Sequence, residues 1–315
     1  MSAEPGAAFR RPAPDHHLFR SRDADAVGVT ERDLRHHRYT AVLRGVRVPE
    51  GAEVDTWLRA RAALLVAGPL AVVSHHTAAR LWGAVVPDTP TTHVMVATAN
   101  ERHRLEGTTF HVCTTLERGH HVRGVAVTSP EQTFIDLARV LPLVDAVVVG
   151  DCLVRLGHVT VEGLREACRR TRLKGATAAR RAAEYVRAGA ESPMETRVRM
   201  LLVLAGLPEP LLQVELRDDD GVTTYRLDLA YPGLLLALEY DGRQHAEDDA
   251  QWSHDVVRRE FLDRHGWRLI VIRAADVYTH PAQTLRRVVE ALESRGVRVR
   301  RLDPRWQRHF QGRTS

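Results

Sequence analysis

Apolar and polar positions alternate with a helical period in some stretches of this chain and a strand period in others, and the periods mark out its elements. Val29-Thr30-Glu31-Arg32-Asp33-Leu34 predicts a short helix, with Thr30 as its cap and Asp33 at the capping-box position. An extended segment follows from Leu43 to Pro49. Trp57 to Val66 predicts a helix ended by Gly68 and Pro69, and Ser74 caps another that closes at Gly83. His75 and His76 fall in the first turn of that helix, where paired histidines are expected to be solvated. Thr92 to Thr98 and Thr108 to Thr114 alternate as strands. Ser129-Pro130-Glu131-Gln132 opens a helix running to about Val140, and the Ala- and Arg-rich stretch 143–188 predicts further helices.

The C-terminal third has the clearest grammar. Ser192-Pro193-Met194-Glu195 is a capping box with proline at the first helical position. Val198, Leu201, Leu202 and Ala205 make the apolar stripe of that helix, which Gly206 and Pro208 end. Gln213 to Arg217 and Val222 to Ala230 predict a hairpin around Asp219-Asp220-Gly221. Tyr231-Pro232-Gly233 then turns the chain into Leu234-Leu235-Leu236-Ala237-Leu238-Glu239-Tyr240, whose apolar run predicts a central strand covered on both faces. A helix from about Asp249 to His265, closed by Gly266, a strand from Trp267 to Arg273 and a helix from Pro281 to about Arg295 complete the order. An α-β-β-β-α-β-α succession predicts an α/β sandwich. The chain has neither a Gly-rich phosphate loop nor a GxSxG elbow.

Length divides 315 residues into two domains, or three if one is small. With 44% hydrophobic and 27% charged residues the chain can bury a real core, and its fold class is α/β in an α+β multidomain arrangement. No apolar run reaches the ~20 residues that cross a bilayer, and the first residues lack the apolar region of a secretory signal. Cys113, Cys152 and Cys168 lie far apart, which excludes a disulfide scaffold and a cysteine zinc site. A soluble, cytoplasmic protein without membrane contact is expected. Lys and Arg total 45 against 40 acidic residues, a net charge of +5, and all the cations but Lys174 are arginines. A GC-rich genome accounts for that bias; the planar guanidinium also suits phosphate. The balance permits nucleic-acid binding without requiring it.

Three carboxylates break the apolar rule of the C-terminal sheet. On the second hairpin strand Arg226, Asp228 and Ala230 share a face, and on the central strand Glu239 and Asp241 share one, about 6 to 7 Å apart by the strand rise. The turn at 231–233 sets Asp228 on the strand beside them. Carboxylates so placed repel one another and lose solvation unless something cationic satisfies them. A hard divalent ion such as Mg²⁺ would do so, as would an arginine pair drawn from Arg226, Arg258 and Arg273. Glu195 is either a capping-box acid alone or a member of the site as well. His245 is either a surface residue or a general acid or base beside the carboxylates.

These motifs resemble a known family. Ser192 to Arg197 (SPMETR), Arg226 to Pro232 (RLDLAYP), Glu239-Tyr240-Asp241-Gly242 with His245, and Asp255-Val256-Val257-Arg258 leading to Leu262, Gly266 and Trp267 look like the very-short-patch-repair-like domains of the restriction-endonuclease-like PD-(D/E)XK fold. Upstream, Ser74 to Gly83 (SHHTAARLWG), Val127 to Pro130 with Asp136, and the capped helix at Thr30 resemble the AbiEi-type antitoxin-like proteins of actinobacteria. Residues 1–20, rich in Pro, Ala and Arg and without periodicity, are expected to form a mobile leader, and the resemblance implies a reduced winged-helix-like segment over 21–54. An AbiEi-like α/β module follows over 55–150, then a helical linker over 151–190, the endonuclease-like domain over 191–298 and a basic tail over 299–315.

It further implies Asp228 as the metal-binding aspartate, Glu239 and Asp241 in place of the E-x-K end, Glu195 as the first-helix carboxylate, and His245 as in the mismatch-repair branch. Asp255 and Arg258 are supporting residues. Position 241 departs from the pattern: it is Asp where the family has Lys, so His245 or Arg258 has to supply the positive charge. The expected activity is Mg²⁺- or Mn²⁺-assisted hydrolysis of a DNA phosphodiester, in repair or phage defence, with DNA and a cognate toxin as partners. The alternative is a non-catalytic DNA-binding regulator of the antitoxin type with a degenerate nuclease domain.

Overall fold

The computed structural model describes residues 18–35, 38–217, 222–242 and 249–311, and divides the chain into two compact units, 1–81 with 88–129 and 82–87 with 130–315. The first unit contains β1 (Phe19–Arg20), α1 (Glu31–Arg35), β2 (Tyr39–Leu43), β3 (Val46–Pro49), α2 (Thr56–Ala67), β4 (Val72–Val73), α3 (His75–Leu81), β5 (Thr92–Val96), β6 (Thr108–Val112), β7 (His120–Val122) and β8 (Val125–Val127). The helix at Thr30 has its capping box: Thr30 N–H donates to Asp33 Oδ2 at 3.1 Å and Asp33 N–H to Thr30 Oγ1 at 3.2 Å. The extended segment expected from Leu43 to Pro49 is a hairpin instead. Gly45, at φ +80°, reverses the chain between β2 and β3, a conformation that costs glycine nothing.

β1, β3 and β2 form a three-stranded antiparallel sheet, and β6-β5-β4-β8-β7 a mixed five-stranded one. One core joins Val46 and Val48 of β3, Leu58, Ala62 and Ala63 of α2, and Val94 and Val96 of β5. His75, expected to be solvated, is buried in this unit, because its helix leaves β4 directly into the sheet's interior.

The second unit runs through α4 (Pro130–Ala138), α5 (Leu143–Arg155), α6 (Val161–Arg170), α7 (Ala176–Tyr185), α8 (Pro193–Leu204), β9 (Leu211–Arg217), β10 (Thr223–Tyr231), β11 (Leu236–Tyr240), α9 (Asp249–Arg264), β12 (Arg268–Ile272), α10 (Ala274–Tyr278) and α11 (Pro281–Ser294). α5 crosses the boundary drawn at 150/151, and it packs against α8 through a buried ionic cluster. Arg199, fully buried, donates to Asp151 Oδ2 at 2.7 Å and to Glu209 Oε1 at 2.9 Å, and Thr196 Oγ1 donates to the same Asp151 oxygen at 2.8 Å. The stretch taken as a basic tail is packed through Phe310: Trp306 and Phe310 are buried, and Asp303 N–H donates to Ala205 O at 2.9 Å.

The sheet order is β12-β11-β10-β9, with β11 parallel to β12 and the other pairs antiparallel. β11 begins two residues later than its apolar run suggested. Pro232–Leu234 is a 3-10 turn and Leu235 sits at φ +49°, so these leucines turn the chain rather than pair it. The turn expected at Asp219-Asp220-Gly221 lies outside the described residues. Among the described residues no helix is long and apolar enough to cross a membrane.

Asp136 on α4 is 8% exposed and accepts a hydrogen bond from Gln132 Nε2 at 2.8 Å. Burial pushes its carboxyl up to about 7, against the pull of Gln132 and the charge of Arg139. The folded chain therefore holds a proton that the unfolded chain, with an ordinary carboxyl near 3.8, has released. Stability from this residue is present below about pH 4 and is lost as the pH rises to about 7. Asp136→Asn is expected to flatten that fall, seen as urea midpoints at pH 5 and pH 8 lying closer together than in wild type. An unchanged gap would place the proton elsewhere.

Candidate active site

β10 and β11 pair antiparallel with Leu229 opposite Leu238 and Ala230 opposite Ala237. Where this ladder stops, a side chain takes over: Tyr240 N–H donates to Asp228 Oδ2 at 3.1 Å. The aspartate is thereby fixed at the point where the two strands part. β11 continues beside β12, and Asp241 N–H donates to Ile272 O at 2.8 Å. The opening between the strand ends and α9 is a cavity of about 510 Å³ whose lining includes Asp228, Glu239, Asp241, Arg258, Arg259 and Arg273. The three sequence-predicted carboxylates and Arg258 thus meet in one place. His245 lies outside the described residues, as does the side chain of Asp255 on α9.

The charges in the cavity are partly answered from within. Arg258, projecting from α9, is ion-paired with Glu239 and donates to Arg226 O at 3.0 Å. The arginine-pair alternative for Glu239 is therefore realised in this arrangement. Burial raises the Asp228 carboxyl above the usual range; the Tyr240 N–H and the Arg258 charge pull it down, while Glu191 pushes it up. Glu191 itself is paired with Arg226 at 2.6 Å.

Glu195 stands behind this group on the first turn of α8. Ser192 Oγ accepts its N–H at 3.2 Å, as a cap should. The reciprocal half of the expected capping box is shifted by one residue, because Glu195 Oε2 accepts the N–H of Glu191 at 2.9 Å rather than that of Ser192. The same oxygen accepts Gln213 Nε2 at 2.8 Å. Glu195 is buried, which raises its carboxyl, and the Asp228 charge raises it further. Glu195 is not among the residues lining the cavity; it is coupled to the site through Asp228.

Gln213, Glu191 and Arg259 were not foreseen as members of this neighbourhood. Gln213 holds φ +51° inside β9, a strained conformation for a residue with a side chain and one that is kept where surrounding structure requires it. Its sequence signal was a lone amide within the apolar run Leu211-Leu212-Gln213-Val214. Glu191 precedes a helix cap, and Arg259 adjoins Arg258; neither pattern marks a site by itself.

Comparison with known proteins agrees with this geometry. Residues 211–292 match the restriction-endonuclease-like family REase_MTES_1575, a span that contains β9, β10, β11, α9 and β12 with the cavity between them. The C-terminal domain is thus restriction-endonuclease-like, and the match points to nuclease-type chemistry. The chain is also 29% identical over 229 residues to "Uncharacterized protein MT2308" and to "Uncharacterized protein Rv2248", both of Mycobacterium tuberculosis, covering 72% of this chain and 83% of each relative.

Proposed function

We propose that the protein is a metal-dependent DNA endonuclease or nickase of the very-short-patch-repair-like type, acting in DNA repair or phage defence. The observation that carries this reading is the single cavity that joins Asp228, Glu239 and Asp241 to the guanidinium groups of Arg258, Arg259 and Arg273. Carboxylate oxygens and phosphate-seeking forks lining one cavity are what phosphodiester hydrolysis needs.

The donor set fits a hard divalent cation, Mg²⁺ or Mn²⁺: it is all oxygen, and burial raises the Asp228 carboxyl, so a cation beside it favours its charged form. Asp228, Glu239 and Asp241 would hold the ion, which supplies charge for the phosphate and lowers the pKa of an attacking water. Arg258 has to leave Glu239 for this, and it then has a fork free to hold a phosphate oxygen. Arg259 and Arg273, from α9 and the end of β12, would orient the backbone of the nucleic acid in the same cavity. Glu195, held by Gln213 and the helix cap, stands behind Asp228 and positions that end of the site.

The Glu239–Arg258 ion pair also favours a second reading. A guanidinium can serve as the permanent counter-charge, leaving a DNA-binding regulator of the antitoxin type that cuts nothing.

Cleavage of supercoiled, linear and mismatched DNA in Mg²⁺ and Mn²⁺ separates the two. Metal-dependent loss of substrate by wild type, absent in Glu239→Ala of unchanged fold, is the expected result. No cleavage on any substrate, with metal-independent binding that weakens steeply as salt rises, would leave the regulator.

A further inference from the structure

A second constellation lies in the first unit, apart from the carboxylates. His75 begins α3, His93 lies on β5 and His111 on the parallel neighbour β6, two register positions beyond the residue opposite His93 and so on the same face of the sheet: the register sets His93 opposite Thr109 and Met95 opposite His111. One ring nitrogen from each of the three lies within 4.8 Å of the others. His93 Nδ1 and His111 Nε2 are 2.9 Å apart, and the rings of His75 and His111 stack with centroids 3.7 Å apart. We propose that His75, His93 and His111 form a binding site for one divalent transition-metal ion of the zinc type, with a fourth coordination position left open.

Four observations support this. Three imidazoles from three different elements converge, a donor set that suits zinc and its neighbours and not the hard ions favoured by carboxylates. Tetrahedral bonds of about 2.0–2.1 Å place ligand nitrogens roughly 3.3 Å apart, and the separations here, from 2.9 Å to no more than 4.8 Å, lie on either side of that value.

The outer nitrogens already meet hydroxyls, as ligating histidines require. His75 Nδ1 is 3.1 Å from Ser74 Oγ, while His93 Nε2 is 3.4 Å from both Thr89 Oγ1 and Thr91 Oγ1. Thr109 Oγ1 in turn donates to Thr91 Oγ1 at 3.1 Å. His75 is also held at φ +49°, a conformation that orders its ring at the cost of local strain. Beside the triad, the His76 ring lies 5.0 Å from that of His93, and its buried Nδ1 has no hydrogen-bond partner among the described residues.

The test is calorimetric titration of the EDTA-treated full-length protein with ZnCl₂, alongside the visible spectrum of the same protein loaded with Co²⁺. With excess Mg²⁺ in the buffer to occupy the carboxylates of the other unit, one equivalent of Zn²⁺ per chain is expected, together with the intense cobalt bands of a tetrahedral nitrogen site. Affinity should fall at least tenfold in His111→Ala and stay at the wild-type level in His265→Ala, which removes an exposed histidine of the other unit. Absence of zinc heat in wild type, a weak octahedral cobalt spectrum, or zinc affinity unchanged in a folded His111→Ala would each overturn the site. Because the cobalt spectrum is taken on wild type, a poorly folded variant does not decide the outcome.

Discussion

Asp228→Asn is expected to lower metal-dependent DNA cleavage by at least about 10²–10³-fold, the scale on which a site loses one of its main electrostatic groups, while leaving the melting temperature unchanged or higher. The amide has nearly the size of the carboxylate, and its oxygen can still accept the Tyr240 N–H that Asp228 now takes at 3.1 Å. The strand junction therefore keeps its geometry. What disappears is a charge that burial and Glu191 both disfavour, so the folded state is relieved of a penalty as the site loses its anchor for a cation. Loss of function without loss of stability is the signature of a residue kept for chemistry. Plasmid nicking in Mn²⁺ and a thermal melt on the same preparation measure both sides. Wild-type nicking by the variant would remove Asp228 from the mechanism, and a steep fall in melting temperature would make it a structural residue.

Arg199→Met is expected to have the largest effect on stability, about 3–5 kcal/mol, as found when one partner of a buried ion pair is removed. Arg199 is fully buried and bridges Asp151 on α5 to Glu209 after α8. Methionine fills part of the space but leaves Asp151, 2% exposed, with only the Thr196 hydroxyl and the Arg187 N–H as donors. That carboxylate can escape its isolation by taking up a proton. The destabilisation should therefore be smaller at pH 5 than at pH 8, a dependence that a mere packing defect would not show. Denaturant unfolding followed by circular dichroism at the two pH values tests both statements. A loss below about 1 kcal/mol, the scale of an exposed pair, would mean that the cluster relaxes into solvent when cut.

Local signals made much of the C-terminal domain legible in the sequence. Ser192 with Pro193 sets the start of α8, the apolar stripe sets its face, and period-two patterning around Asp228 and Glu239 puts them on adjoining strands. Those signals are short-range, and they fail where partners are far apart in the chain. Leu234 and Leu235 have the composition of a strand but form its turn, because backbone geometry after Pro232 decides the matter. Arg258 could be foreseen as a supporting cation, but its closure on Glu239 depends on how α9 lies over the sheet. His75, His93 and His111 are separated by 18 residues at each step, and no periodicity joins a helix start to two strands. Their meeting is a property of the β5–β6 register, which the order of residues does not display.

The cavity of the C-terminal domain has one more property, which follows from the kind of cation it holds. Its positive groups among the described residues are Arg258, Arg259 and Arg273, and the chain's single lysine, Lys174, lies in another part of the fold. A guanidinium keeps its proton up to about pH 12 or beyond, whereas an amine buried beside others can release it near neutrality. In the function proposed above, a phosphate would therefore meet planar guanidinium forks rather than an ammonium, and the proton for a leaving oxygen would have to come from another group. Among the described lining residues that task falls to the carboxylates and to the Tyr240 phenol, since the cavity's cations are all guanidinium groups.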